Sequence, residues 1–128
     1  MELRKNRILA IEDDAQIGRF LQALLSVAGY KVHVEPTGEA GLNYASDRVP
    51  DLVILDLRLP DMDGYDVCRK LRQFFSPWEV PIVMLTGMDK PVDQLRGFAH
   101  GADAYMTKPF EAQALLEKIK SLLGAAKK

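Results

Sequence analysis

The 128 residues include 17 Lys and Arg against 18 Asp and Glu, giving a formal net charge of -1, and 48% of them are hydrophobic. These figures fit one soluble globular domain, and they disfavour a domain that mainly binds nucleic acid, which needs a basic surface. The one cysteine, Cys68, excludes a disulfide framework and a cysteine-based zinc site, and it suits the reducing cytoplasm. No apolar run is long enough to cross a membrane, and the charged start of the chain does not resemble a signal peptide.

Short apolar runs indicate the strands of a sheet. Three runs are continuously apolar, as is typical of strands covered on both faces. They are residues 8–11, 52–55 and 82–85. Two weaker strands are predicted around Val32 and Val34 and at residues 104–106.

Between these strands, apolar residues recur at helical spacing. The stripe of the first helix consists of Ile17, Phe20, Leu21, Leu24, Leu25 and Ala28. Gly29 follows where a C-terminal cap belongs, and Thr37 can cap a second, weaker helix over residues 40–45. The stripe of the third helix consists of Val67, Cys68, Leu71 and Phe75.

A fourth helix is predicted to begin after the cap Asp89, to tolerate Pro91 in its first turn and to end at Gly101. Its inward residues are expected to be Val92, Leu95 and Ala99, and the last helix is defined by Leu115, Ile119, Leu122 and Leu123. The aromatic connection at residues 74–78 is expected to fold back on the core. The element order βαβαβαβαβα predicts a parallel sheet with helices on both faces.

Polar side chains follow the predicted strands. Glu12 and Asp13 follow the first strand, Asp56 the third, Thr86 the fourth and Lys108 the fifth. In open α/β sheets the functional site lies beyond the carboxyl ends of the strands. Carboxylates that converge there repel one another unless they are protonated or share a cation, and oxygen ligands suit Mg²⁺. A lysine and a threonine beside them indicate phosphoryl chemistry, in which an aspartate can be the nucleophile.

Each of these residues taken alone also fits a solvated loop or a helix cap, as Asp14 does for the first helix. Their combination at one edge of the sheet favours a functional site.

The chain resembles the receiver domain of two-component response regulators, such as the chemotaxis response regulator. The resemblance implies a flavodoxin-like, doubly wound, three-layer αβα fold with five helices and a parallel sheet of order 2-1-3-4-5. It implies one receiver domain over residues 1–128, with residues 125–128 as the start of a linker if an output domain follows. Four stretches carry it: residues 8–14 (ILAIEDD), 51–64 (DLVILDLRLPDMDG), 81–87 (PIVMLTG) and 101–110 (GADAYMTKPF).

The resemblance assigns roles to the residues at the strand ends. Asp56 would accept a phosphoryl group from a sensor histidine kinase or a phosphotransfer protein. Mg²⁺ would be held by Asp13, Asp56 and the backbone carbonyl of Arg58, with Glu12 acting largely through water.

The family pattern also implies a switch. The Thr86 hydroxyl would bond a phosphoryl oxygen and Lys108 would pair with it, with a cis bond between Lys108 and Pro109. Tyr105 would be the aromatic switch residue, whose ring moves inward when Thr86 turns toward the phosphate.

The implied function is a cytoplasmic signalling switch rather than an enzyme, since the domain would catalyse only its own phosphorylation and dephosphorylation. It would regulate a downstream protein or its own output domain through the face formed by helix 4, strand 5 and helix 5, without binding nucleic acid or a membrane itself. The sequence gives only weak support for a homodimer through that face. Ala104 and Ala114 stand where such dimers often have acidic residues, although Asp103, Lys118 and Lys120 remain.

Two functions of other classes compete with this one. A phosphatase with an aspartyl nucleophile would need a second acid two residues after Asp56, where this chain has Arg58. A flavodoxin-like cofactor carrier would offer hydroxyls and amides to a phosphate, whereas Glu12 and its acidic neighbours would repel one. A further alternative within the leading class is a receiver fragment of a longer transcription factor or signalling enzyme.

Overall fold

The computed structural model describes residues 6–126. In this part of the chain five strands alternate with five helices: β1 (Arg7–Ile11), α1 (Ala15–Val27), β2 (Lys31–Glu35), α2 (Gly38–Asp47), β3 (Leu52–Leu55), α3 (Gly64–Phe74), β4 (Ile82–Thr86), α4 (Pro91–Ala99), β5 (Ala104–Thr107) and α5 (Ala112–Ala126). The strands form one parallel sheet of order β2-β1-β3-β4-β5, which confirms the predicted doubly wound fold. Of the segment predicted as a linker, α5 includes residues 125 and 126, and residues 127–128 lie outside the described part.

Successive strand residues point to opposite sides of the sheet. Because neighbouring residues of the strands are apolar, both faces of the sheet are apolar. In β1, Ile8 and Ala10 pack in a core layer with α1 and α5, whereas Leu9 and Ile11 pack in a layer with α2 and α3. The predicted three-layer arrangement is therefore confirmed. Within the described residues, we find no helix that is both long and apolar enough to span a bilayer.

Local signals place the helix ends. The Asp14 carboxylate accepts hydrogen bonds from two backbone N–H groups of the first turn of α1, and the Thr37 hydroxyl caps α2 in the same way. Gly29 and Gly101, each the second residue after the end of α1 or α4, adopt φ values of 100° and 109°, which L side chains rarely adopt. The predicted caps Asp14 and Thr37 and the predicted stops at both glycines are confirmed.

The prediction for α4 was wrong in two respects. The cap residue is Lys90 rather than Asp89, and the side chains expected inside are exposed, Val92 by 57% and Leu95 by 70%. The buried residues of α4 are Asp93 and Gly97. Gly97, which has no side chain, lies against the sheet, whereas the apolar Val92 and Leu95 face solvent.

Two aromatic predictions also need correction. In the connection after α3, Phe75 is buried in the core, but Phe74 and Trp78 are exposed by 61% and 77%, so the segment does not fold back as a whole. Phe20 of the α1 stripe is 49% exposed, and its ring centroid lies 6.0 Å from that of Phe110. Phe20 therefore packs at the margin of the α1–α5 layer rather than within it.

Candidate functional site

The strand register brings the acidic residues together. Ile11 of β1 pairs with Leu55 of β3 in parallel, so the residues that follow them, Glu12 and Asp56, stand side by side. Carboxylate oxygens of Glu12, Asp13 and Asp56 lie within 4.8 Å of one another. Glu12 and Asp56 are buried, whereas Asp13 is exposed. This arrangement offers two inner carboxylates and one outer carboxylate to a single point at the edge of the sheet.

Lys108 completes this cluster from the end of β5. Its ammonium group donates to Glu12 Oε1 at 2.6 Å and to Asp56 Oδ2 at 2.8 Å. Its backbone N–H donates to the carbonyl of Thr86 at 2.8 Å, and the Lys108–Pro109 bond is cis, as the family pattern implied. The side chain thus connects the ends of β1, β3 and β5 through two largely buried ion pairs.

The electrostatics of the cluster follow from burial. Burial raises the pKa of Glu12 to about 7, although the hydrogen bond from Lys108 and the Asp14 N–H act in the opposite direction. Burial by itself would lower the pKa of Lys108, but the hydrogen bonds and charges of Asp56 and Glu12 raise it above its ordinary value. The lysine is therefore held protonated between two carboxylates.

The backbone around Asp56 is tightly packed. Asp56 donates its N–H to the Ile11 carbonyl at 3.0 Å, and its Oδ1 accepts the N–H of Arg58 at 3.2 Å. At Gly64, the first residue of α3, a Cβ would lie 2.5 Å from the Asp56 carbonyl oxygen, so only glycine permits this approach. This loop, over residues 57–63, lines a cavity of about 480 Å³ together with Tyr65, Met88 and Arg96.

A second set of contacts leads away from the acidic cluster. Thr86 is fully buried at the end of β4, and its hydroxyl accepts a hydrogen bond from the N–H of Met88 at 3.4 Å. The Tyr105 hydroxyl donates to the Met88 carbonyl at 2.6 Å. In this structure the Tyr105 ring thus lies against the loop that follows Thr86.

Sequence reasoning missed Tyr65 in this region. Its side chain is 2% exposed, and its hydroxyl donates to the backbone carbonyl of Asp93 in α4 at 2.9 Å. A signal existed, since Tyr65 lies three residues before Cys68 and extends the predicted apolar stripe of α3 by one turn. The position of its hydroxyl under α4 had no sequence signal.

Comparison with known proteins decides the family. Residues 8–120 match the family described as the response regulator receiver domain. The chain belongs to the response regulator receiver family. As a receiver domain, it is a signalling module of phosphorelay systems, and it is related to proteins that carry such a domain within a longer chain.

Two curated relatives and one solved structure illustrate the similarity. The receiver domain is 40% identical to the DNA-binding dual master transcriptional regulator RpaA of Synechocystis, over 91% of this chain and 48% of RpaA. It is 39% identical to the response regulator ArlR of Staphylococcus aureus, over 91% of this chain and 52% of ArlR. The crystal structure of a receiver domain protein (CheY-like) from Methanospirillum hungatei matches with a TM-score of 0.91 and 31% identity, over 97% of this chain and 98% of that chain. The chain spans about half the length of the curated relatives it matches.

The donor set of the receiver site fits a hard divalent cation. Glu12, Asp13 and Asp56 supply oxygen ligands only, and two of the three are buried, which is unfavourable for uncompensated negative charge. Lys108 offsets part of that charge. The cluster is therefore suited to hold one metal ion.

Proposed function

We propose that this receiver domain is switched by phosphorylation of Asp56. The donor would be a phosphohistidine of a sensor histidine kinase or of a phosphotransfer protein. An Asp56 carboxylate oxygen would attack the phosphorus, the phosphorus–nitrogen bond would break, and the histidine would leave with the bonding electron pair and take up a proton. The observation that carries this proposal is the buried Asp56 carboxylate, which lies among two further carboxylates and in contact with the Lys108 ammonium.

The metal of this site is proposed to be Mg²⁺, held by Glu12, Asp13, Asp56 and the backbone carbonyl of Arg58. Mg²⁺, when bound, supplies the positive charge that offsets the carboxylates and a phosphoryl group of about −1.5 to −2. Glu12 is buried and bonded to Lys108, so its contribution is expected to run through water rather than by direct ligation.

Lys108 and Thr86 would bind the phosphoryl oxygens. In the present structure Lys108 bonds Asp56 Oδ2, and it would pair with the new oxygens once Asp56 is modified. Thr86 would turn its hydroxyl toward these oxygens and would lose the hydrogen bond that it accepts from the N–H of Met88. Because Tyr105 bonds the carbonyl of Met88, this rotation would reach β5 and α4. The domain would thus catalyse only its own phosphorylation and dephosphorylation.

The output is proposed to be binding of a downstream protein or of an output domain of the same polypeptide. The similarity to RpaA, described as a DNA-binding regulator, favours a transcription factor as the full protein, with the nucleic acid bound outside this domain.

The exposed Val92 and Leu95 give the face of α4, β5 and α5 an apolar component suited to a downstream protein or an output domain. A homodimer through this face stays a weaker proposal, since Asp103 is already paired with Arg72. The proposed location is the cytoplasm.

The phosphatase alternative is not favoured. Its general acid would have to occupy the position of Arg58, and the family match is to receiver domains.

Incubation with acetyl phosphate and Mg²⁺ is expected to add one phosphoryl group, seen by intact-mass spectrometry. The group is expected to be absent when Mg²⁺ is chelated and absent in Asp56→Asn, because the amide lacks the nucleophilic oxygen. The matched control is Asp66→Asn, an exposed aspartate of α3 paired with Arg69, which should be modified like the unchanged protein. A modified Asp56→Asn variant, or equal modification without Mg²⁺, would contradict the proposal.

A further inference from the structure

Helix α4 is held to the rest of the domain by few residues. Of its nine residues, all of which are described, only Asp93 and Gly97 are buried. A Cβ on Gly97 would lie 2.8 Å from Met84 Sδ and 2.9 Å from Tyr105 Cδ2, so the helix rests directly on β4 and β5 at this point. The position of α4 therefore depends on a small number of specific contacts.

Two tyrosines supply hydrogen bonds at the start of α4. Tyr105 donates to the Met88 carbonyl in the loop before the helix, and Tyr65 donates to the Asp93 carbonyl in its first turn. The guanidinium of Arg96 covers the Tyr65 ring at 4.2 Å from the centroid, which fixes the ring from the side of α4. We call Tyr65 and Tyr105 with these two hydrogen bonds the tyrosine clasp.

The two phenols of the clasp are neighbours as well. Burial raises the pKa of Tyr105, and the adjacent Tyr65 raises it further, so both hydroxyls stay protonated and able to donate. Burial likewise raises the pKa of Tyr65. Neither hydroxyl of the clasp therefore loses its proton near neutral pH.

The clasp connects the site to α4 from two directions. Met88 lies two residues after Thr86, so a movement of Thr86 acts on the Tyr105 bond. Tyr65 follows Gly64, whose backbone lies against the carbonyl of Asp56, so its bond to Asp93 starts from the loop that carries the phosphoacceptor. The hydrogen bond of Tyr105 can move with Thr86, while the hydrogen bond of Tyr65 holds the first turn of α4 against α3.

We propose that Tyr65 is a positioning residue of the switch, which fixes the first turn of α4 so that a movement of Thr86 and Tyr105 becomes a defined movement of this helix. The inference rests on the proposed function, since it names the element through which phosphorylation of Asp56 is transmitted. Tyr65 contacts no reacting group, and its hydroxyl acts through its hydrogen bond to α4 and through the neighbouring Tyr105 hydroxyl.

Tyr65→Phe tests this role because it removes the hydroxyl and keeps the ring under Arg96. Hydrogen exchange of the α4 amides, residues 91–99, is measured before and after modification with acetyl phosphate and Mg²⁺. In the unmodified variant these amides should exchange about fivefold faster than in the unchanged protein, as expected for the loss of one buried hydrogen bond. The variant should still acquire its phosphoryl group, but the ratio of α4 exchange rates between the two states should fall toward one.

Tyr44→Phe is the matched control, since Tyr44 stacks on His33 at 3.8 Å between ring centroids, against β2. It should leave both the exchange rates and their ratio unchanged. An unchanged ratio in a phosphorylated Tyr65→Phe variant would overturn the inference, since a purely structural hydroxyl would give this result. If the protein that retains Tyr65 takes up no phosphoryl group, the proposed function fails. The inference is then tested on the Tyr65→Phe variant without phosphorylation. If its α4 amides exchange at the same rate as those of the protein that retains Tyr65, the inference is overturned too.

Discussion

Replacement of Arg72 by methionine is expected to lower the free energy of unfolding by about 3 kcal/mol, the low end of the range for breaking a buried ion pair from one side, because the Arg72 and Asp103 side chains are still 13% and 23% exposed. The Arg72 guanidinium donates to the carbonyls of Gly101 at 2.8 Å and Val80 at 2.6 Å, and to Asp103 Oδ2 at 2.5 Å. The same carboxylate oxygen accepts the N–H of Ile82 at the start of β4. Without the arginine, the largely buried Asp103 carboxylate would lose its ion pair, and two carbonyls would lose this donor, at the junction of α3, β4 and β5.

Urea denaturation followed by circular dichroism measures this loss. Arg69→Met is the matched control, because Arg69 lies one turn earlier on α3 in an exposed pair with Asp66 at 3.2 Å. Its replacement should change the unfolding free energy by no more than about 0.5 kcal/mol. Equal small losses in the two variants would show that the Arg72 contacts do not support the fold.

Replacement of Lys108 by methionine is expected to slow phosphorylation of Asp56 by about a hundredfold, the usual effect of losing one donor to a developing oxyanion. Methionine keeps an unbranched chain of similar length but removes the charge that bonds Glu12 and Asp56 at 2.6 and 2.8 Å. The attacking group and its acidic neighbours would then face the phosphoryl donor with more uncompensated negative charge.

The rate of phosphoryl uptake from acetyl phosphate in saturating Mg²⁺ tests this prediction. Lys118→Met serves as the control, because Lys118 is an exposed residue of α5 with the same charge. Its rate should match that of the unchanged protein. If Lys108→Met also kept the full rate, the role proposed for the lysine would be wrong.

The strands and the acidic cluster are predictable because each leaves a local signal. Residues 8–11 and 52–55 are covered on both faces and are apolar throughout. Glu12 and Asp56 follow them directly, and parallel pairing of β1 and β3 brings the two carboxylates together. The positions of the site residues therefore follow from the fold class, whereas their proposed roles came from the family resemblance.

The orientation of α4 is not predictable in this way. Periodicity shows that Val92 and Leu95 share a face, but it does not distinguish a face toward the core from a face toward solvent or a partner. The deciding contact is the close approach of Gly97 to Met84 and Tyr105, which depends on two other elements.

The contacts of Arg72 and Tyr65 are likewise absent from local patterns. Arg72 bonds residues 29 and 31 positions away, and Tyr65 bonds Asp93, which is 28 positions away. Helical periodicity gives no signal that Arg72 is largely buried, because long cationic side chains are usually exposed. Their partners become known only when the packing of α3 against the start of β4 and against α4 is seen.

Reductive trapping of the phosphorylated protein tests the central claim most directly. Borohydride reduces an aspartyl phosphate to homoserine and releases phosphate, and peptide mass spectrometry then locates the changed residue. After treatment with acetyl phosphate and Mg²⁺, we expect homoserine at position 56 and aspartate at position 13. Homoserine at another position, or a phosphoryl group that borohydride does not convert, would show that Asp56 is not the phosphoacceptor.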